Sequence, residues 1–183
     1  MRCAHPDAQC SHTLGEDTTT RAAASAATQA NITLVRSLAD AGLTDVAEVS
    51  LKASALGQAL PGGAELALEN AQRIASAAAE AGTTVTLDAE DHTTTDATHA
   101  LVDALRHEFA GTGTVLQAML FRTEADAARF AGPGSRVRLC KGAYAEPASV
   151  AHQSPADVRA AFQRCLAVLV AGEGYPMIAT HDP

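Results

Sequence analysis

The chain has 183 residues and a formal net charge of −8, enough length for one domain with a substantial core and a charge that argues against nucleic-acid or anionic-membrane partners. Hydrophobic residues make up 47% of it but aromatics only 3%, and Trp is absent, so the core must be built from Ala, Leu and Val. No apolar run approaches the roughly 20 residues needed to cross a bilayer, and the opening MRCAHPDAQCSH lacks the apolar middle of a secretory signal, which predicts a cytoplasmic protein.

In chain order, residues 1–12 are expected to be a disordered or poorly matched lead-in to a single domain spanning 1–183. They carry Cys3, His5, Cys10 and His12, whose spacing fits no standard zinc pattern, so no metal is expected. A weak strand candidate lies near residues 12–14. A helix is predicted over 22–41, closed by Gly42, then a strand over 47–52 (AEVSLK). A second helix, 64–81, ends at Gly82; both glycines suit the left-handed position that follows a helix. The next strand is 84–88 (TVTLD), followed by the Thr-rich turn 93–95 and a helix over 96–109. Strand 114–120, helix 124–130 and strand 136–140 come next. Ser154-Pro155-Ala156-Asp157 combines an N-cap serine, proline at the first helical position and an acid two residues on. That helix is predicted to reach residue 171, and a last strand to occupy 176–180. Cys140 and Cys165, like Cys3 and Cys10, are scattered and are expected to be free thiols in a reducing compartment.

Alternation of strand and helix predicts βαβ units and a parallel sheet. Two architectures compete. A doubly wound sheet is disfavoured because no G-x-G-x-x-G follows a strand. A (β/α)8 barrel accounts for more, but a whole one takes about 250 residues; about six strand–helix units are expected in this chain.

Polar residues recur at the carboxyl ends of the predicted strands: Lys52, then Asp88 with Glu90, Gln117, Arg138 with Lys141, and Thr180 with His181. Barrel enzymes build their active sites at that face. Eleven of the thirteen basic side chains are Arg, and the two lysines are Lys52 and Lys141. An ammonium kept in so Arg-biased a chain suggests a need for a compact point charge. No helix-spaced acid neutralises Lys52, Arg138 or Lys141, so the face suits a phosphate, a carboxylate or a reduced flavin. Gly142 and Ala143 let backbone approach a ligand. Asp88 and Glu90 are not expected to form an acid/base dyad. Asp88 is expected inside, beside Lys52, where a purely structural ion pair is the alternative. His92 and His99 are expected at the surface.

At these residues the sequence resembles the proline dehydrogenase family, in its single-function bacterial branch. VRLCKGAY, residues 137–144, is similar to the family's R-L-x-K-G-A-Y signature on its fifth barrel strand. AEVSLKASALG resembles the second-strand lysine motif, TLDAEDH the third-strand aspartate motif, VLQAMLFRT the fourth-strand V-x-Q-A-Y-x-x-R-T motif, and IATHD the sixth-strand A-T-H-N element. LGED near Gly15 is the trace of the first. The resemblance implies a (β/α)8 barrel holding FAD at its carboxyl face. It implies that Arg138 lies beside the flavin's reactive nitrogen and that Gln117 bonds the ring system. Ala89, Lys141, Gly142 and Ala143 would line the cofactor, and Thr180 and His181 would hold its adenosine portion. Lys52 would bind the substrate carboxylate, and Asp88 is carried over as an active-site residue. The implied reaction is oxidation of L-proline to Δ1-pyrroline-5-carboxylate, with electrons passing on to a membrane quinone and the complete enzyme resting peripherally on the inner face of the cell membrane. Met119 stands where the family usually has Tyr, and Asp182 where it has Asn. Because the chain stops at Pro183, just after the sixth-strand motif, it is expected to be a C-terminally truncated barrel with little or no activity alone. The rival readings are a Schiff-base or phosphate-binding lyase using Lys52 or Lys141, and a non-catalytic remnant.

Overall fold

The computed structural model describes residues 18–180. The weak strand near residue 12, the Cys/His lead-in, the LGED motif, His181 and Asp182 lie outside them. Helix α1, Arg21–Asp40, begins where Thr20 accepts the Ala23 amide at 3.1 Å, a side-chain cap on an otherwise unpaired donor. It is followed by β1 (Val49–Leu51), α2 (Gly63–Glu80), β2 (Val85–Leu87), a short 3-10 turn (His92–Thr94) and α3 (Thr95–Arg106). Then come β3 (Gly113–Gln117), α4 (Thr123–Phe130), β4 (Arg136–Cys140), α5 (Pro155–Ala171) and β5 (Tyr175–Ala179). Gly42 and Gly82 take φ of +65° and +78° just past α1 and α2, as expected of residues that end a helix. Ser154 caps α5 by accepting the Asp157 amide at 3.1 Å, with Pro155 at its start.

All strand pairings are parallel, and the order across the sheet is β1-β2-β3-β4-β5. That order decides between the two architectures. Consecutive neighbours joined by right-handed crossovers keep every helix on one face, whereas a doubly wound sheet reverses its order midway. Side-chain placement agrees. Val49, Leu51, Val85, Leu87, Leu116, Val137 and Leu139 share one buried cluster with Ile74 of α2, Val102 of α3, Ala127 of α4 and Phe162 of α5. The sheet is a singly wound barrel arc whose outer face carries the core. Its concave inner face is polar, because the alternate positions of the same strands bear Glu48, Ser50, Asp88, Arg136 and Arg138.

Strand β3 stops three residues short of the predicted 114–120. Met119 and Leu120 are apolar for another reason: with Ala151 they form a small separate cluster beneath the loops.

His99 is a correction. It was expected at the surface, yet it is 3% exposed on the inward stripe of α3, edge-on to the Phe130 ring at 4.9 Å. Burial lowers its pKa below the ordinary 6.5, partly countered by Asp126. A histidine whose folded pKa is depressed is protonated preferentially in the unfolded chain, so stability falls as pH drops through about 6.5. We expect the melting temperature to decline between neutral and mildly acidic pH, and His99→Gln to flatten that decline. Parallel slopes in thermal melts of the two proteins would show that His99 is not responsible.

Candidate active site

At the carboxyl end of the sheet lies a cleft of about 680 Å³. It is lined by Lys52 after β1, Asp88 and Ala89 after β2, Gln117 of β3, Arg138 of β4, Lys141, Gly142 and Ala143 in the β4–α5 loop, and Thr180 after β5. Every expected site residue within the described span is therefore in one cavity; His181 is not among the described residues. Val115, Cys140, Tyr144 and Ala179 complete the lining.

Geometry corrects the expectation that Arg138 stands unneutralised. Its guanidinium crosses the concave face and donates to Ser50 Oγ at 2.9 Å, Asp88 Oδ1 at 3.1 Å and Glu48 Oε1 at 2.7 Å. Glu48 also receives Arg136 through Oε2 at 3.0 Å. Charges on β1, β2 and β4 are thus tied in a chain across the arc, and a guanidinium suits this because it donates in several fixed directions. Burial pushes the Glu48 carboxyl up, but hydrogen bonds from Arg138, Arg136 and Thr86 more than offset it, and the pKa is lowered from 4.5. For Asp88 the balance reverses. Burial raises its pKa from 3.8, while Arg138, Ser50 and Lys52 pull it only part of the way back. Lys52 adds its positive charge to this carboxylate, and Arg138 grips it by a direct hydrogen bond at 3.1 Å.

β2 ends at Leu87, and Glu90 beyond it does not line the cleft. Its carboxylate accepts from the Ser54 amide at 3.0 Å and from the Ser54 hydroxyl. Gln117 is buried, and its Nε2 donates to the Glu90 carbonyl at 2.6 Å. That bond orients the carboxamide and leaves Oε1 to serve a ligand.

The loop after β4 is held close to β3. The Ala118 and Met119 amides donate to the Cys140 and Lys141 carbonyls, each at 2.8 Å. Gly142 follows with φ of +111°, and a methyl group there would sit 2.5 Å from the Met119 sulfur. Such a conformation is open to glycine and strained for any other residue. Met119, where an aromatic was the expected residue, fills the space beneath this turn.

The donor set fits an isoalloxazine. Ala89, Val115, Ala143 and Ala179 form a low apolar lining that leaves room for a planar ring, while Arg138, Lys141 and Gln117 supply polar groups at its edge. Sequence reasoning missed Glu48 and Ser50, which orient Arg138. It also missed Glu146, whose buried carboxylate bonds His92 across the rim.

A family model described as Proline dehydrogenase matches residues 8–182. Proline dehydrogenase of Deinococcus radiodurans is 40% identical over 137 residues, covering 73% of this chain and 44% of that protein. Proline dehydrogenase 2 of Bacillus subtilis is 32% identical over 169 residues, covering 92% of this chain and 54% of its own length. The chain therefore spans about half the length of these relatives. Among solved structures, proline utilization A from Bdellovibrio bacteriovorus, inactivated by N-propargylglycine, superposes with a TM-score of 0.79 at 23% identity, over 92% of this chain and 22% of that one. That likeness concerns the fold.

Proposed function

The chain belongs to the proline dehydrogenase family, and from that premise we propose that its protein oxidises L-proline to Δ1-pyrroline-5-carboxylate, with FAD held in the cleft. The observation that carries this reading is convergence: five successive strands each deliver a lining residue to one cavity. FAD, when bound, would accept the hydride that leaves the ring carbon next to the proline nitrogen; the nitrogen's proton departs separately, giving the imine. The chain's own residues do the rest. Lys52 offers an ammonium to the substrate carboxylate. Arg138, fixed by Glu48, Ser50 and Asp88, places a permanent positive charge where electron density accumulates. Gln117, oriented by the Glu90 carbonyl, holds the ring system. Lys141, Gly142 and Ala143 bring backbone and charge against the cofactor, Ala89 packs beside it, and Thr180 with His181 reaches its adenosine end. The electron acceptor that follows is a quinone, reached by peripheral contact with the inner membrane face. Among the described residues no helix is long and apolar enough to cross a membrane.

The test separates binding from turnover. The purified chain is dialysed against FAD, freed of excess, and mixed anaerobically with L-proline. Retained flavin is the expected result, and its oxidised absorption band is expected to bleach with L-proline, and not with D-proline, in the chain extended to the length of its relatives, residues 1–183 alone bleaching it little or not at all. A chain that retains no flavin, and instead is trapped by borohydride with a carbonyl substrate on Lys52 or Lys141, would overturn the proposal in favour of a lyase.

A further inference from the structure

The backbone of residues 141–143 lines the cleft, yet it belongs to a long connection between β4 and α5 that has no regular structure of its own until Pro155. Long irregular loops are the least stable parts of a fold unless something ties them. Here one buried carboxylate does so. Glu146, its side chain 4% exposed, accepts the His92 amide at 2.8 Å through Oε1 and meets His92 Nδ1 through Oε2. Its own carbonyl accepts Gln153 Nε2 at 3.2 Å, folding the far end of the loop back onto the same point.

His92 is a firm anchor. It opens the 3-10 turn that runs directly into α3, and Asp91 caps that turn by accepting the Thr93 amide at 2.7 Å. The contact therefore joins the β4–α5 loop to the β2–α3 connection, passing over β3. The β3–α4 loop is tied separately: Phe121 N donates to Val150 O at 2.9 Å and His152 N to Met119 O at 2.8 Å. Three neighbouring loops thus form one hydrogen-bonded rim, and Glu146 is its link to the Asp88–Ala89 side.

We propose that Glu146 is a positioning residue, clamping residues 141–143 against the cleft through His92. The inference rests on reading the cleft as a flavin site. A carboxylate buried this far from water is costly unless both oxygens are paired, and both are. The requirement is geometric: glutamine accepts the His92 amide through its oxygen and donates its NH2 to the ring nitrogen of a neutral imidazole.

Two measurements on the whole chain test it: amide hydrogen exchange at residues 141–144 without ligand, and the FAD dissociation constant. Glu146→Ala is expected to speed exchange at 141–144 by about tenfold, leaving the α2 and α3 amides unchanged, and to weaken FAD binding by about tenfold. Glu146→Gln restores both to within about threefold, and His92→Ala, which keeps the backbone bond, falls between. The proposal is overturned if Glu146→Ala exchanges within twofold of the native chain, or if Glu146→Gln is as impaired as the alanine variant. Should Glu146→Ala fail to fold, His92→Ala carries the test, and native exchange at 141–144 in that variant overturns the proposal. A native chain that holds no FAD, while exchange still responds as expected, sinks the flavin reading and leaves the clamp standing.

Discussion

Arg138→Ala is expected to cost about 3 kcal/mol of folding stability, because it leaves two half-buried carboxylates without their main partner. The wild-type guanidinium serves Glu48, Asp88 and Ser50 at once. Its removal leaves Glu48 with Arg136 and threonine hydroxyls as its donors and takes from Asp88 its guanidinium hydrogen bond. The loss reads directly as a lower denaturation midpoint in urea. A second signature is pH. Glu48 has a folded pKa below 4.5, so its contribution is present above that value and vanishes as pH falls through the folded pKa. In Arg138→Ala this part of the acid sensitivity should shrink. Arg138→Lys should rescue little, since one ammonium does not span carboxylates on β1 and β2. Flavin retention should drop with the same substitution by at least about a hundredfold, the scale of a lost charge-assisted contact in a shielded site. Unchanged urea midpoints and unchanged retention would mean that the chain of charges is ornamental.

The second large effect is expected from Gly142→Ala. Two independent penalties coincide at this position. A φ of +111° strains any residue bearing a side chain, and the new methyl group would meet the Met119 side chain, with Cγ at 2.6 Å and the sulfur at 2.5 Å. Met119 is buried and pinned by its own backbone bonds to Lys141 and His152, so the turn must give way. Strain of this kind costs roughly 1–3 kcal/mol, and relieving it displaces Lys141 and Ala143 from the cleft wall. FAD affinity should fall about tenfold or more while the helical circular dichroism stays near native. Pairing the change with Met119→Ala offers a check, since the smaller side chain removes the clash but not the φ strain. Recovery by that pair should therefore be partial. Full recovery would assign the whole effect to packing.

Much of this architecture can be read from residue order alone, for definite reasons. The strands are short β-branched or apolar runs set between strongly signalled helix ends, so Gly42, Gly82 and Ser154 mark boundaries within a residue or two. The cleft could be anticipated because parallel strands present their carboxyl ends to one side; a polar residue at each such end is brought to the others by topology. The same rule hid Glu48. It lies at the opposite end of β1, and only the reach of the Arg138 side chain down the concave face brings it into the site. Glu146 was hidden differently, since its partner His92 is 54 residues away and nothing local announces the pairing. His99 falls one turn before Val102 on the stripe that continues to Leu105, so the helical period points inward where the polarity of imidazole points to the surface.

The order of the strands also bears on how such a chain assembles while it is being synthesised. Each strand bonds to the next one made, so the sheet can lengthen rung by rung as residues leave the ribosome, with modest loop closure at every step. The guanidinium ties run on a longer clock: Arg138 reaches partners 88 and 90 residues earlier in the chain. Nascent polypeptides arrested before β4 should thus already possess paired β1, β2 and β3, but their acidic groups would still await the cation that draws them together. If the cleft is the proposed flavin site, ligand competence is a late acquisition that waits for β4, the loop after it and Thr180 beyond β5.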